Sequence, residues 1–160
     1  MIIREMKKEE IPLLEEFIYQ AIFQKNIDDK VPRSIVNDPS VFIYIKDFGK
    51  YFDDSCLVAE QDNIIIGSVW IRLLNGTPKG FGNVDNTTPE FAISVLPQYR
   101  NMGIGTKLMK AMLDCMKVKG YKKASLAVQK ENYAVEMYKQ VGFEIINENS
   151  EEYIMVVELD

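Results

Sequence analysis

Apolar and polar positions alternate along this chain with two different periods, and the switches between them mark the elements. Residues 1–6 (MIIREM) come close to strict alternation, as an opening strand does. Between Glu9 and Phe23, the apolar positions Ile11, Leu14, Phe17, Ile18, Ala21 and Ile22 recur at helical spacing, with Pro12 tolerated in the first turn. Asp38-Pro39 combines an N-cap with proline at the first helical position and opens a short helix ending near Gly49. Two β-type runs, 55–60 and 64–74, meet at Gln61-Asp62-Asn63 and predict a hairpin. Gly67, inside the second run, marks a bulge or a close approach.

A loop rich in Gly, Asn and Thr covers residues 75–89, and the apolar run 91–96 then stops at Pro97. Residues 103–119 form a long amphipathic helix. Its polar stripe is Lys107, Lys110, Asp114 and Lys117; Ile104, Leu108, Ala111, Met112 and Cys115 face inward, and Gly120 caps the end. A strand at 123–128, a helix at 132–141 stopped by Gly142, and β-runs at 143–146 and 153–159 complete the chain. This alternation predicts an α/β fold: one domain over residues 1–160, with no repeats or linker-like shifts.

Between Val95 and the long helix lies a glycine turn, Arg100-Asn101-Met102-Gly103-Ile104-Gly105-Thr106. A strand, a glycine turn and a helix start together aim unpaired N–H groups, at the positive end of the helix dipole, toward an anion. A P-loop is excluded because Arg100 stands where its first glycine belongs, and a dinucleotide fingerprint because Leu108 fills its third glycine position. The remaining pattern, [RQ]xxGxG after a V-x-P strand end, resembles the coenzyme-A pyrophosphate loop of the GNAT superfamily of N-acetyltransferases. A second stretch, residues 128–143 (VQKENYAVEMYKQVGF), resembles that family's N-x-A-V-x-x-Y-x-x-x-G-F signature, in its order and at its separation. The two motifs span residues 91–143.

The resemblance implies a single GNAT-like domain, with a central mixed sheet of about six to seven strands flanked by about four helices. It implies acetyl-CoA as co-substrate, no metal, and direct acetyl transfer to a primary amine of an unidentified small molecule or peptide. Backbone groups around Ile93 and Val95 would hold the pantetheine arm and polarise the thioester carbonyl. Residues Arg100, Asn101, Met102, Gly103, Ile104, Gly105 and Thr106 would wrap the pyrophosphate. Tyr138 is carried over as general acid and cofactor contact; read without the motif, it is one more aromatic on an apolar helix face. Asn132 would bond the pantetheine arm, and it also suits an N-cap for the helix at Tyr133. No glutamate precedes Val128, where Ala127 stands, so the candidate base is Glu90 at the start of the central strand, with a solvated charge as the alternative. Asp85 is a second choice.

Composition narrows this reading without redirecting it. At 160 residues with 47% hydrophobic and 27% charged positions, the chain has ordinary globular make-up. A net charge of −5 and no basic stripe argue against nucleic acid. No apolar run spans a membrane, and no signal peptide opens the chain. Two cysteines, Cys56 and Cys115, read as buried thiols of a cytoplasmic protein. The absence of histidine removes the commonest general base. Trp70 reads as core, as does at least half of the cluster Tyr44, Phe48, Tyr51 and Phe52; dispersed acids such as Asp28, Asp29, Asp53 and Asp54 read as solvated. A non-catalytic acyl-CoA-binding or interaction module is the rival class, and a homodimer is compatible with either.

Overall fold

β-branched and aromatic residues alternating across a pleat fix where this chain extends. The computed structural model describes residues 1–24 and 30–160, and Asp28 and Asp29 lie outside the described residues. Among them are seven strands: β1 (Ile2–Glu5), β2 (Ser55–Gln61), β3 (Ile64–Arg72), β4 (Glu90–Val95), β5 (Lys123–Gln129), β6 (Glu144–Glu148) and β7 (Glu152–Glu158). They form one sheet in the order β1-β2-β3-β4-β5-β7-β6. Every pairing is antiparallel except β4 with β5. Four α-helices flank it: α1 (Leu14–Ala21), α2 (Pro39–Phe42), α3 (Ile104–Val118) and α4 (Ala134–Gln140). The mixed sheet and helix number match the expected α/β architecture.

The period of two sorts the sheet's side chains into two cores. Leu57, Val69, Ile71 and Phe91 point to the α3 and α4 side, where they meet Leu108, Met112 and Tyr138. Cys56, Val58 and Trp70 point to the other side, against Leu14, Phe17 and Ile18 of α1 and Tyr44. The β2–β3 turn places Asp62 and Asn63 at φ 52° and 65°, the left-handed pair that a tight hairpin needs. Gly67 serves both expected purposes. The register shifts beside it, between Ala59 and Glu60, and a Cβ there would lie 3.1 Å from Leu108 Cδ1.

Three local readings need correction. The first helix begins as a 3-10 turn, Lys8–Leu13, and becomes α-helical only at Leu14, because Pro12 supplies no N–H and restricts Ile11. The second helix ends at Phe42, far short of Gly49. Arg72 Nη1 takes the carbonyls of Ile43 and Lys46 at 2.9 and 2.8 Å, so tertiary bonds replace helical ones. On α3 the buried stripe is Ile104, Leu108, Met109, Met112, Leu113 and Met116, while Ala111 and Cys115 sit half-buried at its edge. The helix is rotated so that its methionines meet the sheet.

The decisive feature is a split in the sheet. β4 pairs with β3 along its whole length, from Glu90 opposite Arg72 to Val95 opposite Gly67. Toward β5 only Glu90 has a partner, Ser125, and Ser125 N donates to Pro89 O at 3.1 Å. Leu96 N donates to Ile66 O on β3, so by alternation the backbone groups of Ile93 and Val95 face β5 across the opening.

Candidate active site

The glycine turn hangs from the end of this opening. After β4, a 3-10 turn at Pro97–Tyr99 redirects the chain; Asn101 and Gly103 then adopt left-handed φ values of 63° and 78°. The first α3 bond runs from Lys107 N to Gly103 O at 3.2 Å, which leaves the N–H groups of Ile104, Gly105 and Thr106 without intrahelical partners. Gly105 permits α4 to close on this turn, since a Cβ there would stand 3.3 Å from Met137 Sδ. A concave anion cradle results.

A cleft of about 850 Å³ joins the cradle to the split. It brings together Ile93, Val95, Arg100, Asn101, Gly103, Ile104, Gly105, Thr106, Asn132 and Tyr138 from residues named on sequence grounds. Met102 and Glu90 are not among its lining. Met102 is exposed on the outer side of the turn. The cleft also has walls no motif announced: Tyr19 to Gln24 at the end of α1, Lys30, Arg33, Tyr99, Tyr133 and Met137. Its charged lining among the described residues is Lys30, Arg33 and Arg100, all cationic in a chain of net charge −5.

Tyr138 sits on α4 with its ring edge-on to Phe143 and its side chain buried. Burial pushes its phenol up to about 12, so it stays protonated and can donate. Asn132 Oδ1 accepts from Ala134 N at 2.9 Å, which realises the capping geometry at the start of α4 while the residue also lines the cleft.

Glu90 is no solvated charge. It is 2% exposed, at the apex of the split, and burial pushes its carboxyl up to about 7. The Tyr44 hydroxyl and Gly82 N (3.1 Å) both donate to Oε2 and limit that rise. Tyr44 in turn accepts from Phe81 N at 2.9 Å and stacks on Phe81, so the carboxylate anchors the 79–83 turn. Gly82 lets this turn lie on β5, where a Cβ would fall 2.6 Å from the Leu126 carbonyl carbon. Oε1 of Glu90 and the hydroxyls of Thr88 and Ser125, all buried, have no protein partner among the described residues. Asp85 differs: N–H groups of Thr87 and Thr88 and the Lys123 ammonium hold it well below the usual carboxylate range, which makes it a poor base.

The sequence matches the family model described as the acetyltransferase (GNAT) family over residues 19–143, and the chain belongs to this family of N-acetyltransferases. An N-alpha-acetyltransferase of Sulfurisphaera tokodaii is 29% identical over 122 residues, 71% of each chain. Among solved structures, the PaiA N-acetyltransferase of Thermoplasma acidophilum in complex with coenzyme A shares 19% identity over 98% of each chain, with a TM-score of 0.70. A GNAT-family acetyltransferase from Streptococcus pneumoniae shares 19% identity over 99% of each chain, with a TM-score of 0.69. At this identity the likeness to the solved structures is one of fold.

Proposed function

We propose that the protein, as one domain over residues 1–160, moves an acetyl group from acetyl-CoA directly to a primary amine of a small molecule or peptide. One observation carries the proposal: a single cleft of about 850 Å³ joins an open strand edge, an anion cradle and a protonated phenol. The residues present fit a long ligand with a pyrophosphate. Unpaired N–H groups at Ile104–Thr106 suit the phosphates, and the β4 edge at Ile93 and Val95 suits an amide-bearing arm lying where a strand would pair. A relative of the same fold holds coenzyme A.

Acetyl-CoA, when bound, supplies an acetyl group activated as a thioester. The backbone of Ile93 and Val95 orients the arm and polarises the carbonyl. Asn132 adds a polar contact from the start of α4. Tyr138 holds the proton for the leaving sulfur: a phenol near 12 stays loaded yet can donate to a thiolate of ordinary pKa about 8.5. Glu90 is the proposed proton acceptor at the apex of the split, competent when ionised above about pH 7. Both cysteines are free, which suits the reducing cytoplasm.

The test is thermal unfolding with saturating acetyl-CoA, followed by a screen of amines for thiol release. At about 100 times its Kd, the donor should add about 2.7 kcal/mol, a rise of roughly 5–10 °C for a domain of this size. An unmoved midpoint would sink the donor reading; a shift with no thiol release from any amine class would sink the transfer.

A further inference from the structure

Arg100 opens the motif that the family likeness assigns to a pyrophosphate, yet its Nε and Nη2 donors turn into the protein. Its backbone N–H donates to Pro97 O at 3.3 Å. Its Nε donates to Val95 O at 2.9 Å, and Nη2 donates to Gln20 O at 3.2 Å and Gln20 Oε1 at 3.1 Å. Val95 is the last residue of the open β4 edge, and Gln20 is the last residue but one of α1. One guanidinium therefore ties the end of β4 to α1, reaching a residue 80 positions before its own in sequence.

The connection runs on along α1. Gln20 Nε2 donates to Glu16 Oε2 at 2.8 Å, and Arg33 Nη1 donates to Glu16 Oε1 at 2.7 Å. The Arg33 guanidinium carbon lies 4.4 Å from the Tyr19 ring centre, and the Tyr19 hydroxyl donates to Val31 O at 2.6 Å. Arg100, Gln20, Tyr19 and Arg33 all line the cleft, so these contacts run along the α1 wall of the same cleft that holds the α3 cradle.

We propose that Arg100 is a positioning residue and not a phosphate ligand. It rivets the end of the open strand edge to α1 and sets the spacing between the cradle and the α1 wall. The proposal rests on the coenzyme-A reading of the cleft. Under it, main-chain N–H groups at the helix start hold the phosphates, and the positive charge of Arg100 is dispensable. Its planar fork is indispensable, because it satisfies a strand carbonyl, a helix carbonyl and a side-chain oxygen at once. A lysine ammonium keeps the charge but lacks this fork.

The experiment is calorimetric titration of coenzyme A into the wild-type chain, Arg100→Lys, Arg100→Met, Gln20→Leu and the Arg100→Met/Gln20→Leu double variant, at two ionic strengths. Arg100→Lys and Arg100→Met should both weaken binding, each by roughly tenfold, with the salt dependence of the wild type retained. Gln20→Leu should weaken binding several-fold although it removes no charge. The double variant should be no worse than Arg100→Met alone, the signature of two residues acting as one unit. Arg100→Lys at wild-type affinity, with Arg100→Met weak and less salt-dependent, would overturn the proposal and make Arg100 a phosphate ligand. If neither Arg100 variant folds, Gln20→Leu decides, and unchanged affinity there overturns the proposal. A wild-type chain that binds no coenzyme A overturns the donor reading beneath it, a result distinct from either.

Discussion

Tyr138 shows how one side chain combines packing and chemistry. Its ring lies 6.1 Å from that of Phe143 and belongs to the core beneath α3. Its hydroxyl, on the cleft side, makes no hydrogen bond with the described residues, so the oxygen adds nothing to packing that a phenylalanine ring would lose. Desolvation first, then the neighbouring Tyr133, push the phenol to about 12. It is loaded with its proton across the whole range in which an enzyme works. Tyr138→Phe should therefore leave coenzyme-A affinity within about twofold and lower kcat by roughly a hundredfold, the usual worth of a general acid. Isothermal titration and thiol-release kinetics on the same preparation separate the two effects. Unchanged kcat would reduce Tyr138 to a packing residue.

At the scale of elements, a buried ion pair holds the second helical segment onto the sheet. Arg72, at the end of β3, donates from Nε and Nη2 to Asp54 Oδ1 and Oδ2, both at 3.0 Å, with side chains 4% and 1% exposed. Its Nη1 takes the Ile43 and Lys46 carbonyls, and Trp70 Nε1 donates to Tyr44 O at 2.9 Å. β3 thus sets the position of Tyr44, and Tyr44 holds Glu90. Arg72→Met leaves Asp54 buried with two N–H donors and no cation, and should cost about 3–5 kcal/mol in urea unfolding. Arg72→Met/Asp54→Leu should regain most of that loss; a double variant as unstable as the single would show that the backbone clamp dominates. The sequence read these regions unevenly, and the reason is physical. The cradle was legible because strand, turn and helix start are contiguous and their glycines answer to local backbone demands. The hairpin and α3 were legible through periodicity over many residues. In the sequence Asp54 reads as one dispersed, solvated acid among several, since nothing near it announces Arg72. The end of α2 was hidden for the same reason, its carbonyls being claimed from 26 and 29 residues away. The α1 wall of the cleft carries no motif at all, and only the fold brings it to Arg100.

The chain contains no histidine, the residue whose ordinary range lies between about pH 5 and 7, and among the described residues burial moves Glu90 into this window. Its carboxyl stands at about 7 in the folded chain against an ordinary 4.5, raised by burial and further by Glu152, and held back by the Tyr44 and Gly82 donors. The folded state therefore binds this proton more tightly than the unfolded state. Its contribution is fully present below about pH 4.5 and is lost as pH rises through 7, on the order of 3 kcal/mol in all. Glu10 behaves in the opposite sense: bonded by Arg4, it is held at about 2 and loses its contribution as pH falls below 4.5. Asp85, also lowered, adds to that acid-side loss. The two trends meet near pH 5, where stability should peak. Urea unfolding from pH 4.5 to 8 should show the wild-type chain weakening toward pH 8 and Glu90→Gln nearly flat over the same range. A flat wild-type profile would mean that Glu90 titrates as an ordinary carboxylate. The same group sets the expected acidic limb of kcat/KM near pH 7, so the pH at which the base becomes competent is the pH at which the fold gives up its proton-linked stability.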